Sequence, residues 1–221
     1  MPKAIDFFDV DHTIIRGSSA RHFAMAGVRE HVFPLRALFF IPFYYLSYRY
    51  GTISVESFER LFPLFRGMAR DRLEAISRSS FEQRLKQSIY NDAVVLMSRL
   101  KDAGRMVVFA TSSLDVIVQP LADYLGIEAV IATSLEFAEE PGLCTGNFAA
   151  PPIFGFEKKK RVMDFIRTHG SRPESCSFYT DSIHDLALLE AIGNPVAVNP
   201  DPRLKRVARR NGWRVVAFAA N

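Results

Sequence analysis

The 221 residues carry 48% hydrophobic and 24% charged side chains and a formal charge of +4, which suits one substantial core, or a core with a small accessory module, and excludes long disorder, low complexity or internal repeats. Two cysteines far apart, Cys144 and Cys176, fit a reducing compartment and exclude a disulfide framework or a thiolate metal cage. The densest basic run, Arg203, Lys205, Arg206, Arg209 and Arg210, has no interleaved aromatics; it reads as the wet face of a C-terminal helix, so no nucleic-acid partner is expected.

Along the chain, residues 4–10 form an apolar run interrupted by Asp6 and Asp9 and read as a first strand. Acids where a signal peptide needs an apolar core make a cytoplasmic location the expectation. Residues 17–88 show no strand pattern and read as helices over 18–28, 35–50, 54–65 and 69–84. The uncharged stretch 37–48, with Phe39, Phe40, Phe43, Tyr44 and Tyr45, is shorter than the roughly 20 residues needed to cross a bilayer. It reads as a buried helix, with peripheral contact to lipid as the second reading.

Further strand-like runs cover 106–111, 129–132, 176–180, 195–198 and 214–218. Helical patterns over 114–125, 158–169 and 183–192 end at Gly126, Gly170 and Gly193, as glycine-capped helices do. Residues 136–148, with Pro141-Gly142 inside, read as a hairpin or flap. Short apolar runs alternating with helices predict an α/β fold with a Rossmann-like parallel sheet. The domain reading is a core of residues 1–16 and 89–221 and a helical cap of residues 17–88, inserted after the first strand. Such a cap lies over the C-terminal strand ends, where open α/β sheets bind ligands.

The loop after the first run reads Asp9-Val10-Asp11-His12-Thr13. Two carboxylates one residue apart at the end of a buried strand repel unless a cation joins them, and Mg²⁺ favours such hard oxygens. The alternative is a solvated acidic turn. Thr111-Ser112-Ser113 closes the run 106–111, where hydroxyls and main-chain N–H groups suit an anion, or where Ser112 or Ser113 merely caps a helix. Lys158-Lys159-Lys160-Arg161 reads as a solvated helix end, although the macrodipole disfavours a cation there and points to another role for one lysine. In Asp181-Ser182-Ile183-His184-Asp185 the first acid closes a strand as Asp9 does, and the second follows at a helical turn. They suit a metal site and its supporting partner, or Asp181 as a plain N-cap. All four segments follow or flank strand ends of one parallel sheet, so they converge.

In this order and spacing the four segments resemble the haloacid dehalogenase-like (HAD) hydrolase superfamily, in its phosphoserine-phosphatase-like branch. The resemblance covers nearly the whole chain, through Gly193-Asn194-Pro195. It implies a phosphatase in which Asp9 is the nucleophile that forms an aspartyl-phosphate and Asp11 is the general acid and base. Mg²⁺ would be held by Asp9, the main-chain carbonyl of Asp11 and Asp181. Thr111, Ser112 and Lys158 would bind the phosphoryl group, with Lys158 chosen over Lys159 and Lys160 by register. Thr13 and Asp185 would support the site, Asp185 by holding Lys158 or a metal-bound water.

Substrate is less legible. Phosphoserine phosphatases read the amino acid with a Glu after the first motif and an Arg in the cap. Those positions fall on Ser18 and near Phe62 here, with Arg60 and Arg66 close by. A site without those charges binds phosphoserine poorly, so another small phosphorylated metabolite is expected, with a lipid phosphate as the alternative for the aromatic segment. His12, Arg16, Ser18, Arg21, His22 and Phe62 are the specificity candidates, and Arg29 is a further cap charge. The rivals are a phosphotransferase and, outside enzymes, a regulatory module that binds a phosphorylated ligand.

Overall fold

The computed structural model of the protein describes residues 4–35 and 64–219. The aromatic segment 37–48, Arg60 and Phe62 lie outside the described residues.

Six parallel strands form one sheet in the order β3-β2-β1-β6-β7-β8: β1 Ile5–Phe8, β2 Met106–Leu114, β3 Ala129–Thr133, β6 Ser177–Thr180, β7 Asn194–Val198 and β8 Arg214–Val216. A separate antiparallel hairpin joins β4, Leu135–Phe137, to β5, Cys144–Phe148. Among the described residues the helices are α1 Ser19–Arg29, α2 Arg70–Gln83, α3 Asn91–Asp102, α4 Asp115–Leu125, α5 Phe156–Thr168, α6 Leu186–Leu189 and α7 Pro202–Arg210.

A parallel sheet covered on both faces needs strands that are apolar on both faces, because alternate side chains point oppositely. In β1, Ile5 and Phe7 enter one core with Val108 and Phe178, while Phe8, and Val10 just beyond the strand, enter the other with Phe109 and Tyr179. Phe8 stacks on Tyr179 with ring centroids 4.2 Å apart. Asp6 interrupts this pattern, and Arg105 offsets its buried charge, donating from Nε and Nη2 to its two carboxylate oxygens. Gly126 closes α4 in the left-handed conformation, φ 60 and ψ 46, as the sequence predicts.

The described helices of the 17–88 segment do not stand alone. Phe23 and Ala26 of α1 and Leu73 and Ile76 of α2 share one apolar cluster with Val116 and Ile117 of α4 and with Leu135 and Cys144 of the hairpin. Main-chain bonds of 2.8 Å from Gly67 N to Cys144 O and from Cys144 N to Met68 O tie the hairpin to the start of α2.

Four local readings change. The expected helix over 183–192 is a 3-10 turn, Ile183–Asp185, followed by the single turn α6. Gly193 is absent from the left-handed positions; a side chain there would place its Cβ 2.2 Å from the Glu174 carbonyl oxygen, so close approach of two backbones requires it. The helix α3 goes unpredicted because Val94 and Val95 face solvent, 37% and 48% exposed, and blur the apolar period. Finally, β2 runs past Thr111 to Leu114, and its register with β3 shifts between Ala110 and Leu114. The segment Thr111-Ser112-Ser113 therefore lies in an irregular strand end. Helix α4 is preceded by Leu114 as its N-cap residue, so neither serine caps it.

Candidate active site

The three central neighbours β2, β1 and β6 deliver the chemistry side by side: Thr111 to Ser113, Asp9 to Thr13, and Thr180 to Asp185. Between them the chain must hold several carboxylates away from water, which costs several kcal/mol per ion unless each is compensated.

Lys158 supplies that compensation. It lies in the first turn of α5, is fully buried, and its Nζ donates to Asp9 Oδ1 and to Asp185 Oδ2, each at 3.0 Å. Thr180 Oγ1 also donates to Asp185 Oδ2, at 2.7 Å. Lys160 instead lies on the surface, with a side chain 59% exposed near Glu157. Burial opposes the charge on Lys158, but the Asp185 and Asp9 carboxylates outweigh it and push the ammonium pKa up. Burial also lifts the Asp9 carboxyl to about 7; Lys158 pulls it down, while Asp185 and Asp11 add to the rise.

Asp181 is joined to the β1 loop by Thr13, which is buried. The Asp181 main-chain N–H donates to Thr13 Oγ1 at 3.0 Å, and that hydroxyl lies 3.5 Å from Asp181 Oδ1. Its residue surface is only partly covered, yet burial of the carboxyl, then the charges of Asp9, Asp185 and Asp201, raise its pKa well above the usual range. Asp181 is not a cap. Ser182 caps the 3-10 turn, accepting from His184 N.

Asp11 stands apart from the lysine. Its Oδ1 accepts from Ser19 N at 2.7 Å, and its Oδ2 accepts from Ser113 Oγ at 2.9 Å. The two serine hydroxyls lie 2.9 Å from each other. The first residue of α1 and the irregular end of β2 thus grip the same carboxylate. The loop that carries it turns tightly, with Ile14 N bonded to Val10 O at 2.9 Å and His12 in the left-handed region at φ 60.

Thr111 is buried, and its hydroxyl accepts from Ser113 N at 3.2 Å. Ser112 is half-buried, and its carbonyl accepts from Thr133 Oγ1 at 3.1 Å. Of the specificity candidates, Arg16 and Arg21 are exposed, while His12, Ser18 and His22 are half-buried. Arg29 turns to Gln83, and Arg66 donates to the Thr145 carbonyl on the hairpin.

Ser19, Thr180 and Asp201 are missed from sequence as site residues, and Ser113, read there as part of an anion site or as a helix cap, instead holds Asp11. Asp201 accepts from Arg203 N and Leu204 N at the start of α7, and also from Ile183 N at 2.7 Å beside Asp181. Its Asp-Pro helix start was a legible cap; nothing local marked its second bond.

Among the described residues no group of three or more His, Cys, Asp or Glu side chains forms a metal cage. The donor set at issue is smaller: the Asp9 and Asp181 carboxylates, with the charge of Asp9 helping to raise the Asp181 pKa, and a main-chain carbonyl. Hard oxygens that repel each other suit a magnesium ion that keeps several waters. Nor do the described residues include a helix long and apolar enough to cross a membrane.

Residues 7–190 match the model of a haloacid dehalogenase-like hydrolase family. The chain is 27% identical to the phosphoserine phosphatase SerB1 of Mycobacterium tuberculosis, over 97% of this chain and 71% of that protein. It is 29% identical to a histidinol-phosphatase of Neisseria meningitidis, over 79% of this chain and 80% of that one. Among solved structures, a protein of unknown function from Bordetella pertussis Tohama I superposes with a TM-score of 0.86 at 26% identity, covering 98% of this chain and 99% of that one.

Proposed function

We propose that this chain, which belongs to the haloacid dehalogenase-like hydrolase family and is a phosphatase of its phosphoserine-phosphatase-like branch, hydrolyses a small phosphate monoester through an aspartyl-phosphate on Asp9. The observation that carries this reading is the different keeping of two neighbouring acids. Asp9 is bonded to buried Lys158, whereas Asp11 is held by Ser19 and Ser113. Carboxylates placed in contrasting environments take different chemical parts.

Asp9 attacks phosphorus while the ester oxygen departs with a proton from Asp11. Asp11 then takes a proton from the water that attacks the phosphorus of the aspartyl-phosphate. Asp9 is restored and inorganic phosphate leaves. Lys158 draws the Asp9 pKa down against the effect of burial, aims its carboxylate, and balances charge on the phosphoryl oxygens. Thr111, already accepting from Ser113 N, has its hydroxyl proton to give to a phosphoryl oxygen, and Ser112 offers its main-chain N–H beside it. A magnesium ion held by Asp9, Asp181 and the Asp11 carbonyl would supply Lewis-acid stabilisation of the phosphoryl group. Thr13 fixes the Asp181 loop, and Asp185 fixes Lys158.

Residues 17–88 are assigned as the cap that covers this cleft. Two relatives carry the names of phosphatases for different amino-acid-related esters. Ser18 stands where phosphoserine recognition needs a Glu, which supports a substrate other than phosphoserine.

The test is release of inorganic phosphate from p-nitrophenyl phosphate and from a panel of metabolite phosphates with Mg²⁺ and no added acceptor. Asp9→Asn is expected to abolish release and acid-stable trapping of label on the protein. Full activity in that variant would remove Asp9 as nucleophile.

A further inference from the structure

The turn between β7 and α7 reads Asn199-Pro200-Asp201-Pro202, and it is fixed to the core. Asn199 stands in the left-handed region at φ 44. Its amide donates to the Phe218 carbonyl at 3.3 Å and accepts from the Phe218 N–H at 3.0 Å. Beyond the turn, Leu204 and Ala208 anchor α7 in the core. The two prolines restrict the backbone on either side of Asp201.

One oxygen of Asp201 is enough for the helix. Oδ1 accepts from Arg203 N at 2.7 Å and from Leu204 N at 3.0 Å, bonds that a serine or asparagine cap also makes. Oδ2 is turned elsewhere and accepts from Ile183 N at 2.7 Å. The Asp201 N–H donates to the Asp181 carbonyl at 2.8 Å, while the Asp181 N–H donates to Thr13 Oγ1 at 3.0 Å. The main chain is therefore held on both sides of the Asp181 Cα, from the β1 loop and from the α7 turn. Such holding fixes the direction of the Cα–Cβ bond and leaves only the side-chain torsions free.

We propose that Asp201 is a positioning residue for the metal site: its carboxylate and its main-chain N–H hold residues 181–183 so that the Asp181 carboxylate is aimed for Mg²⁺. The inference rests on the hydrolase reading above, in which Asp9 and Asp181 hold that ion. It adds a residue from another element, outside the four segments that carry the chemistry. Mg²⁺ demands near-ideal octahedral geometry, whereas Ca²⁺ accepts irregular arrangements, so a ligand held this firmly favours the smaller ion.

Asp201→Asn and Asp201→Ser each keep one acceptor for α7 and lose the one for Ile183 N. Because the charge of Asp201 also reaches the Asp181 carboxyl, aim and charge are separated by titrating each protein calorimetrically with Mg²⁺ alone and with Ca²⁺ alone. Both variants are expected to raise the Mg²⁺ Kd by about tenfold or more, as loss of a partner behind a metal ligand does, and the Ca²⁺ Kd by a smaller factor. Ala208→Gly weakens α7 itself; it should lower the unfolding midpoint in EDTA and leave both Kd values unchanged. An unchanged Mg²⁺ Kd in the Asp201 variants, an equal loss for both ions, an equal loss in Ala208→Gly, or no Mg²⁺ binding by the unmodified protein overturns the proposal. Phosphate release from p-nitrophenyl phosphate by the unmodified protein judges the hydrolase reading separately. Release with a Mg²⁺ Kd indifferent to Asp201 sinks the positioning role alone, and Mg²⁺ binding that depends on Asp201 without release sinks hydrolysis alone.

Discussion

Ser113 Oγ donates to Asp11 Oδ2 at 2.9 Å across 102 positions of chain. With Ser19 N on the other oxygen at 2.7 Å, the proposed general acid is held at both ends by partners from α1 and β2. A carboxylate clamped in this way is pre-aimed, and aim is a large part of what proton transfer in a site requires.

Ser113→Ala removes one of those two bonds while leaving the main-chain bond from Ser19 intact. A single bond to a charged group is worth about 1.5–3 kcal/mol, so kcat is expected to fall roughly tenfold to a hundredfold, with KM nearly unchanged. Ser113→Thr, which keeps a donor at the same atom, should recover most of the rate. Steady-state kinetics on p-nitrophenyl phosphate measures both. Equal kcat for Ser113→Ala and the unmodified protein would show that the bond does not position Asp11.

Lys158 joins two buried carboxylates. Lys158→Met leaves both Asp9 and Asp185 without their cation, and breaking a buried pair from one side costs about 3–5 kcal/mol. Urea unfolding should therefore show a large drop in midpoint for Lys158→Met. Lys160→Met, at a side chain 59% exposed, should change stability by less than about 0.5 kcal/mol. Comparable losses in the two variants would contradict the buried bridge.

Asp9 sits at about 7 against an ordinary 3.8. An acid whose folded pKa is raised binds its proton more tightly in the folded state, so the linkage sign is that stability falls as pH rises between the two values. In EDTA, the Asp9 contribution should lower the melting temperature progressively from about pH 4 to about pH 7 and then level off, since Asp9 is ionised in both states above that. Magnesium competes with the same proton. Its stabilising effect should therefore be larger at pH 8 than at pH 5.5, and thermal scans with and without the metal at both pH values test this. An equal magnesium effect at the two pH values would separate metal binding from the ionisation of Asp9.

Gly193 has the Glu174 carbonyl oxygen 2.2 Å from where its Cβ would stand. Gly193→Ala must push the 3-10 turn Pro173–Ser175 away from the start of β7, and overpacking of this kind costs about 1–3 kcal/mol. The loss should appear in unfolding midpoints. No loss would mean that the turn moves freely.

The local signals in the chain carried far. Short apolar runs marked all six strands of the parallel sheet, because a strand buried on both faces needs nearly continuous apolar residues. Acids or hydroxyls at the ends of three of those runs marked the candidate site, because charge is costly at the rim of a core unless it serves something. Where the pattern was blurred, as by the exposed Val94 and Val95 of α3, or where a short helix broke in two after Asp185, the reading failed. Periodicity reports which face is buried: exposed valines blurred it in α3, whereas Asp185, Leu188, Leu189 and Ile192 keep a helical burial period through a 3-10 turn and a separate single turn, so a buried face there does not require one continuous helix.

Composition, the positions of the strands along the chain and the succession of acid pair, hydroxyls, lysine and second acid pair were thus inherent in the string of residues, since each depends on neighbours only a few positions apart, whereas the order β3-β2-β1-β6-β7-β8 was set by pairing between distant segments. Which of three consecutive lysines lies inside and which serine reaches Asp11 were settled by folding. Those outcomes depend on burial and on distances between segments separated by 27 to 149 positions, and electrostatic energy follows distance in space rather than separation along the chain.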